Sequence, residues 1–235
     1  MKTFASIALG LLAATALSAC GSKTGQTAAN QTANTTANAA GTTASADPYA
    51  DAEQNMDSKM MAAVGSDAGQ TWAVKMIEHH QGAVDMARIG LKQGLRPDVA
   101  KMAQETIDKN SADIASIRAL LKAGAADPKS ADLYRPAMMD MKQKMVAATG
   151  ADASELIMRE MLEHHTGAVA MSDVALKAGV SGALRSQIER TRANNQKDSK
   201  MVEAMLAGKP MANGDHNADM SDMNMSGDMN GMNQM

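Results

Sequence analysis

Met76-Ile77-Glu78-His79-His80-Gln81-Gly82-Ala83-Val84-Asp85-Met86 returns 85 residues later as Met161-Leu162-Glu163-His164-His165-Thr166-Gly167-Ala168-Val169-Ala170-Met171. Over 76–94 against 161–179, 11 of 19 positions are identical. The register extends outward: Asp47, Tyr49, Met56, Lys59, Met60 and Gly65 match Asp132, Tyr134, Met141, Lys144, Met145 and Gly150. Chance does not hold one register that long. The chain therefore carries an internal duplication, with repeats over 47–124 and 132–209.

Each repeat reads as three helices. Asp51–Val64 and Pro136–Thr149 are short and stop near a glycine. Gly69–Gln93 and Ser154–Ala178 are long, with Gly94 and Gly179 where a left-handed cap belongs. Pro97–Ala123 and Gly182–Ala207 form the third pair, Pro97 standing near a first helical position. Few residues join the second helix to the third, so these pair antiparallel. Two such hairpins predict an all-α fold: one four-helix bundle with an internal pseudo-two-fold relation, capped by the short helices. Strand signals are absent.

On a helical wheel, Met76, His80, Ala83, Ala87 and Leu91 share one face. His79 and Met86 lie at its edge near Trp72, and Lys75, Glu78, Gln81, Asp85, Arg88 and Lys92 fall opposite. The same wheel holds for Met161, His164, His165, Ala168 and Met171. Adjacent inward imidazoles need buried partners, and an unsatisfied polar group costs roughly 1–3 kcal/mol. A doublet found twice, flanked by Met, points to metal ligation. Imidazole suits copper, zinc and iron, and thioether sulfur narrows the choice to copper, above all Cu(I). The alternative is four satisfied core histidines. In the third helices Asn110, Asp113, Asn195 and Asp198 face inward. They either orient the rings through the non-ligating nitrogen or pair between helices to set register. Neither doublet supplies the Glu-x-x-His of a di-iron bundle.

Composition narrows the classes further. The chain has 235 residues, 45% hydrophobic and 21% charged, with net charge -3, 23 Met, five His and one Cys. A near-neutral, aromatic-poor chain argues against a nucleic-acid surface. One cysteine excludes a disulfide framework and a Cys-cluster metal site. No nucleophile–base pair or cofactor fingerprint is present, so a non-enzymatic protein is expected.

The ends read as processing and tail segments. Residues 1–19 form a signal peptide whose apolar stretch Ile7 to Leu17 is too short to span a bilayer. Leu17-Ser18-Ala19-Cys20-Gly21 looks like a bacterial lipobox, with Cys20 as the lipidation site. That implies a membrane anchor and an extracytoplasmic location, on the periplasmic face of the outer membrane in a double-membrane bacterium. Residues 20–46, rich in Thr, Ala and Asn, read as a disordered tether. Residues 210–235 read as a disordered Met-rich tail. His216, Met220, Met223, Met225, Met229, Met232 and Met235 stand there among aspartates, spaced to capture Cu(I) or Ag(I).

The doubled Met-x-x-His-His-x-Gly-Ala-x-x-Met resembles the domain-of-unknown-function 305 family over roughly residues 50–208. The resemblance implies a ferritin-like fold, and the family includes extracytoplasmic copper-binding proteins that help cells tolerate the metal. It implies a functional core of Met76, His79, His80, Met86, Met161, His164, His165 and Met171. The third helices depart from the family pattern, carrying Asn and Asp where Gln and Glu are expected. The expected function is a lipid-anchored protein that sequesters or hands on Cu(I) or Cu(II), with an unknown protein partner for transfer. The alternatives are a metal-dependent redox enzyme of ferritin-like fold or a structural envelope lipoprotein.

Overall fold

A computed structural model describes residues 47–209; the lipobox with Cys20, the tether and the Met-rich tail lie outside the described residues. Six helices follow in order: α1 (Ala50–Ala62), α2 (Ala68–Lys92), α3 (Pro97–Arg118), α4 (Pro128–Val146), α5 (Ala153–Lys177) and α6 (Gly182–Leu206). Among the described residues there is no strand. The duplication is thus written into the backbone, α1–α3 being repeated as α4–α6.

The long helices begin and end on matched signals. Asp67 and Asp152 cap α2 and α5, each carboxylate accepting from the backbone N–H three residues on at 2.8 Å. Such a cap is worth about 1 kcal/mol. Gly94 and Gly179 follow the helix ends at φ 76 and 80, where a side chain would be strained. The one large departure is α4. Its helix starts at Pro128, capped by Asp127, and runs through Pro136 rather than beginning there. Pro136 lacks the N–H that the Asp132 carbonyl would accept. Both residues are exposed, so water can satisfy that carbonyl. At the other extreme, α3 ends at Arg118, five residues short of Ala123.

Helix α2 packs on α3, α5 on α6, and the two halves meet where α2 lies against α5. Three contacts make that crossing antiparallel. Trp72 Nε1–H donates to Ser172 Oγ at 3.3 Å near one end. His79 meets His164 in the middle. A Cβ on Gly90 would press on Ile157 Cδ1 near the other end.

The short helices do not cap the bundle, contrary to the expectation. Helix α1 runs antiparallel along α2, with Met60 beside Lys75, Met56 beside Gly82 and Tyr49 beside Gly90. Their buried faces of Met56 and Met60, and of Met138, Met141 and Met145, need a long apolar partner rather than a bundle end. The motif glycines make this approach possible. A Cβ on Gly82 or Gly167 would stand 2.3 Å from the sulfur of Met56 or Met141. The repeats are also laced crosswise. Tyr49 Oη–H donates to the Ala153 carbonyl of the second repeat, and Tyr134 Oη–H to the equivalent Ala68 carbonyl of the first.

Candidate metal centre

The four motif histidines converge at the α2–α5 crossing. The His79 and His164 rings lie 3.6 Å apart, centroid to centroid, with His80 and His165 at 5.7 and 5.8 Å from their neighbours. All four are buried, as are Met76, Met86, Met161 and Met171. His79 and Met86, read as edge positions, are fully enclosed, because α5 covers the flank that a single wheel leaves open. Leu91, read on the inward face, is exposed near the helix end.

Hydrogen bonds fix how each ring is held. His79 Nε2–H donates to the His164 carbonyl at 3.1 Å, and His164 Nε2–H donates to the His79 carbonyl at 3.0 Å. A carbonyl only accepts, so Nε2 carries the proton and Nδ1 keeps its lone pair. His80 Nε2–H donates to Asp113 Oδ2 at 2.7 Å. His165 turns the other way, Nδ1–H donating to Asn195 Oδ1 at 2.8 Å, which makes Nε2 its acceptor. The Nδ1 atoms of His79, His80 and His164 are buried without a hydrogen-bond partner.

Electrostatics keep the central rings neutral. Burial, then the neighbouring imidazoles, holds the His79 and His164 pKa values well below the ordinary histidine value. Burial also lowers His165. Burial works against the Asp113 charge, but hydrogen bonds from His80, Thr191 and Gln187 outweigh it and keep that carboxyl below its usual range.

The polar residues of the third helices divide. Asp113 and Asn195 hold histidine rings, whereas their 85-residue equivalents do not. Asn110 Nδ2–H turns back to the Thr106 carbonyl of its own helix. Asp198 pairs with Lys109 at 2.9 Å. Two of the four expected ring partners are therefore structural ties instead.

A donor set of neutral ring nitrogens among buried thioethers fits a soft monovalent ion. The rings do not close into a three-imidazole cage. Among the described residues, the group of three or more His, Cys, Asp or Glu ligand atoms lying within 4.8 Å of one another is Asp47, Glu53 and Glu160. Those carboxylates escaped the sequence reading, as did Lys75, which was placed on the solvent side and is buried. The signal was present: Glu160 stands opposite Lys75 in the repeat register. Burial, then the neighbouring carboxylates, raises Glu53 to about 7 and Glu160 to about 9.

Residues 15–121 match the family model described as Domain of unknown function (DUF305). The resemblance is thereby shown for residues 15–121, which hold the first copy of the motif. The crystal structure of a DUF305 fragment from Deinococcus radiodurans aligns at 16% identity, covering 62% of this chain and 99% of that chain, with a TM-score of 0.46. No curated protein matches the chain. The helical DUF305 match says nothing about a ligand.

Proposed function

We propose that this chain is an extracytoplasmic, lipid-anchored copper-binding protein of ferritin-like bundle architecture. It sequesters Cu(I) or Cu(II), or passes it on, outside the cytoplasm. His79, His80, His164 and His165 would hold the ion with Met76, Met86, Met161 and Met171, and the Met-rich tail would supply further capture sites for Cu(I) or Ag(I). One observation carries the reading: three buried imidazole Nδ1 atoms lack any hydrogen-bond partner inside a methionine core. Such atoms cost stability unless something binds them. Asp113 on His80 supports it, because a carboxylate on the far ring nitrogen orients a ligating histidine and raises its basicity. Copper is cargo here, and no redox turnover is invoked.

A second reading has its own observation. The reciprocal His79 and His164 bonds knit α2 to α5, so the doublets could serve the fold alone. The two readings separate on His80→Ala combined with His165→Ala, which spares the reciprocal bonds. Competition of the full chain with a chromogenic Cu(I) chelator should show the double variant losing at least one tight equivalent. Copper should also raise the thermal midpoint of the parent chain and raise that of the variant less. Unchanged stoichiometry and affinity in the variant would leave the structural reading.

A further inference from the structure

The carboxylates beside the imidazole core lie at a place where the two repeats have gone separate ways. Glu160 on α5 is the register equivalent of Lys75 on α2, and Glu53 on α1 is the equivalent of Met138 on α4. In one half the buried group is a cation, Lys75, whose Nζ–H donates to the Met60 carbonyl at 2.7 Å. In the other half it is a carboxyl. Glu160 is 0% exposed, and neither of its carboxylate oxygens has a hydrogen-bond partner; Glu53 Oε1 is buried and unpartnered too. Among the described residues, no Lys or Arg forms an ion pair with either carboxylate. A buried charge in that position is costly unless something pairs with it.

We propose that Asp47, Glu53 and Glu160 form a site for a hard divalent cation of the Ca2+ or Mn2+ class, separate from the imidazole–thioether centre. One oxygen from each carboxylate lies within 4.8 Å of the other two. Calcium–oxygen distances of about 2.3–2.6 Å let ligands on opposite sides of one ion stand that far apart. The donors are all oxygen, which selects hard cations and disfavours Cu(I). Asp47 is held in place by the Tyr49 backbone N–H, which donates to its Oδ1 at 2.8 Å. Asp47 is also the exposed member and gives the ion its way in. Burial of both Glu160 oxygens without a hydrogen-bond partner leaves them available to an ion. The bound ion would tie α1 of one repeat to α5 of the other, whereas the Lys75 ammonium ties α2 to α1 within one repeat.

The test is a Mn2+ titration of the chelator-stripped full chain, followed by the electron paramagnetic resonance signal of free Mn2+, with Ca2+ as competitor. The parent chain should bind one equivalent that Ca2+ displaces. Glu160→Gln and Glu53→Gln should each weaken that equivalent by about 10–100-fold or more. His80→Ala combined with His165→Ala should retain it, which separates this site from the copper reading. Glu160→Gln should also lose the Mn2+-induced rise of the thermal midpoint. Glu160→Lys, which copies the Lys75 half, should abolish Mn2+ binding and leave a chain whose midpoint no longer responds to the ion. An unchanged Mn2+ equivalent in both Gln variants, or no equivalent bound by the parent chain, would overturn the proposal.

Discussion

The two repeats share a backbone and differ in what their outer histidines lean on. In the first, His80 bonds a carboxylate, Asp113, which also accepts from Thr191 and Gln187 of α6. In the second, His165 bonds an amide, Asn195, whose remaining N–H turns back to the Thr191 carbonyl. The rings therefore present different nitrogens, Nδ1 from His80 and Nε2 from His165. Duplication kept what the helix contacts require: the glycines, the tyrosine ties and the central histidine pair. The polar positions keep their residue types, Asn110 with Asn195 and Asp113 with Asp198, but take different partners in the two repeats.

The largest expected effect tests that asymmetry. Asp113→Ala strands His80 Nε2–H and leaves Gln187 and Thr191 short of an acceptor, so it should cost roughly 3 kcal/mol. Asn195→Ala removes one ring bond and should cost about 1 kcal/mol. Denaturant unfolding of the two variants checks the order, and equal losses would break the comparison. The symmetric features should behave oppositely. Gly82→Ala and Gly167→Ala drive a Cβ into Met56 and Met141 respectively, and overpacking of this kind costs about 1–3 kcal/mol. The two losses should agree within experimental error. A clear difference would show that α1 and α4 do not seat alike.

The smallest effect is a pH dependence from carboxylates shared between the two repeats. Glu53 and Glu160 have pKa values raised in the folded chain, to about 7 and about 9. Each favours the folded state fully below the unfolded carboxylate value of about 4.3, and that contribution is lost as pH rises through the folded value. Metal-free protein should thus lose thermal stability between about pH 5 and 9, by a few degrees. Glu160→Gln should flatten the upper part of that profile. Asp113 runs the other way: its lowered value stabilises above about pH 4, and that contribution is lost as pH falls through the folded value.

The helices and the histidine meeting point were legible because each rests on a period or a repeat. Gly94 and Gly179 ended their helices as read, and the doublets faced inward as the wheel placed them. Lys75 and Glu160 were not legible, since a wheel assumes one covered face and one wet face. Helices α2 and α5 have neighbours on several sides, and α1 and α4 cover the side that looked wet. The start of α4 was hidden for a different reason. Pro136 carries the same helix-start signal as Pro128, and only the exposure of its flank shows that the chain can tolerate it mid-helix. The crossed ties of Tyr49 and Tyr134 had a trace in their matched register, but register alone does not say which repeat a side chain will reach.

Each central imidazole places its Nε2–H on a backbone carbonyl of the other half, an acceptor that a chain with one repeat alone would lack. Such a chain would have a ring N–H with no acceptor and an open flank where α5 should lie. It would recover both only by meeting an identical subunit about a two-fold axis.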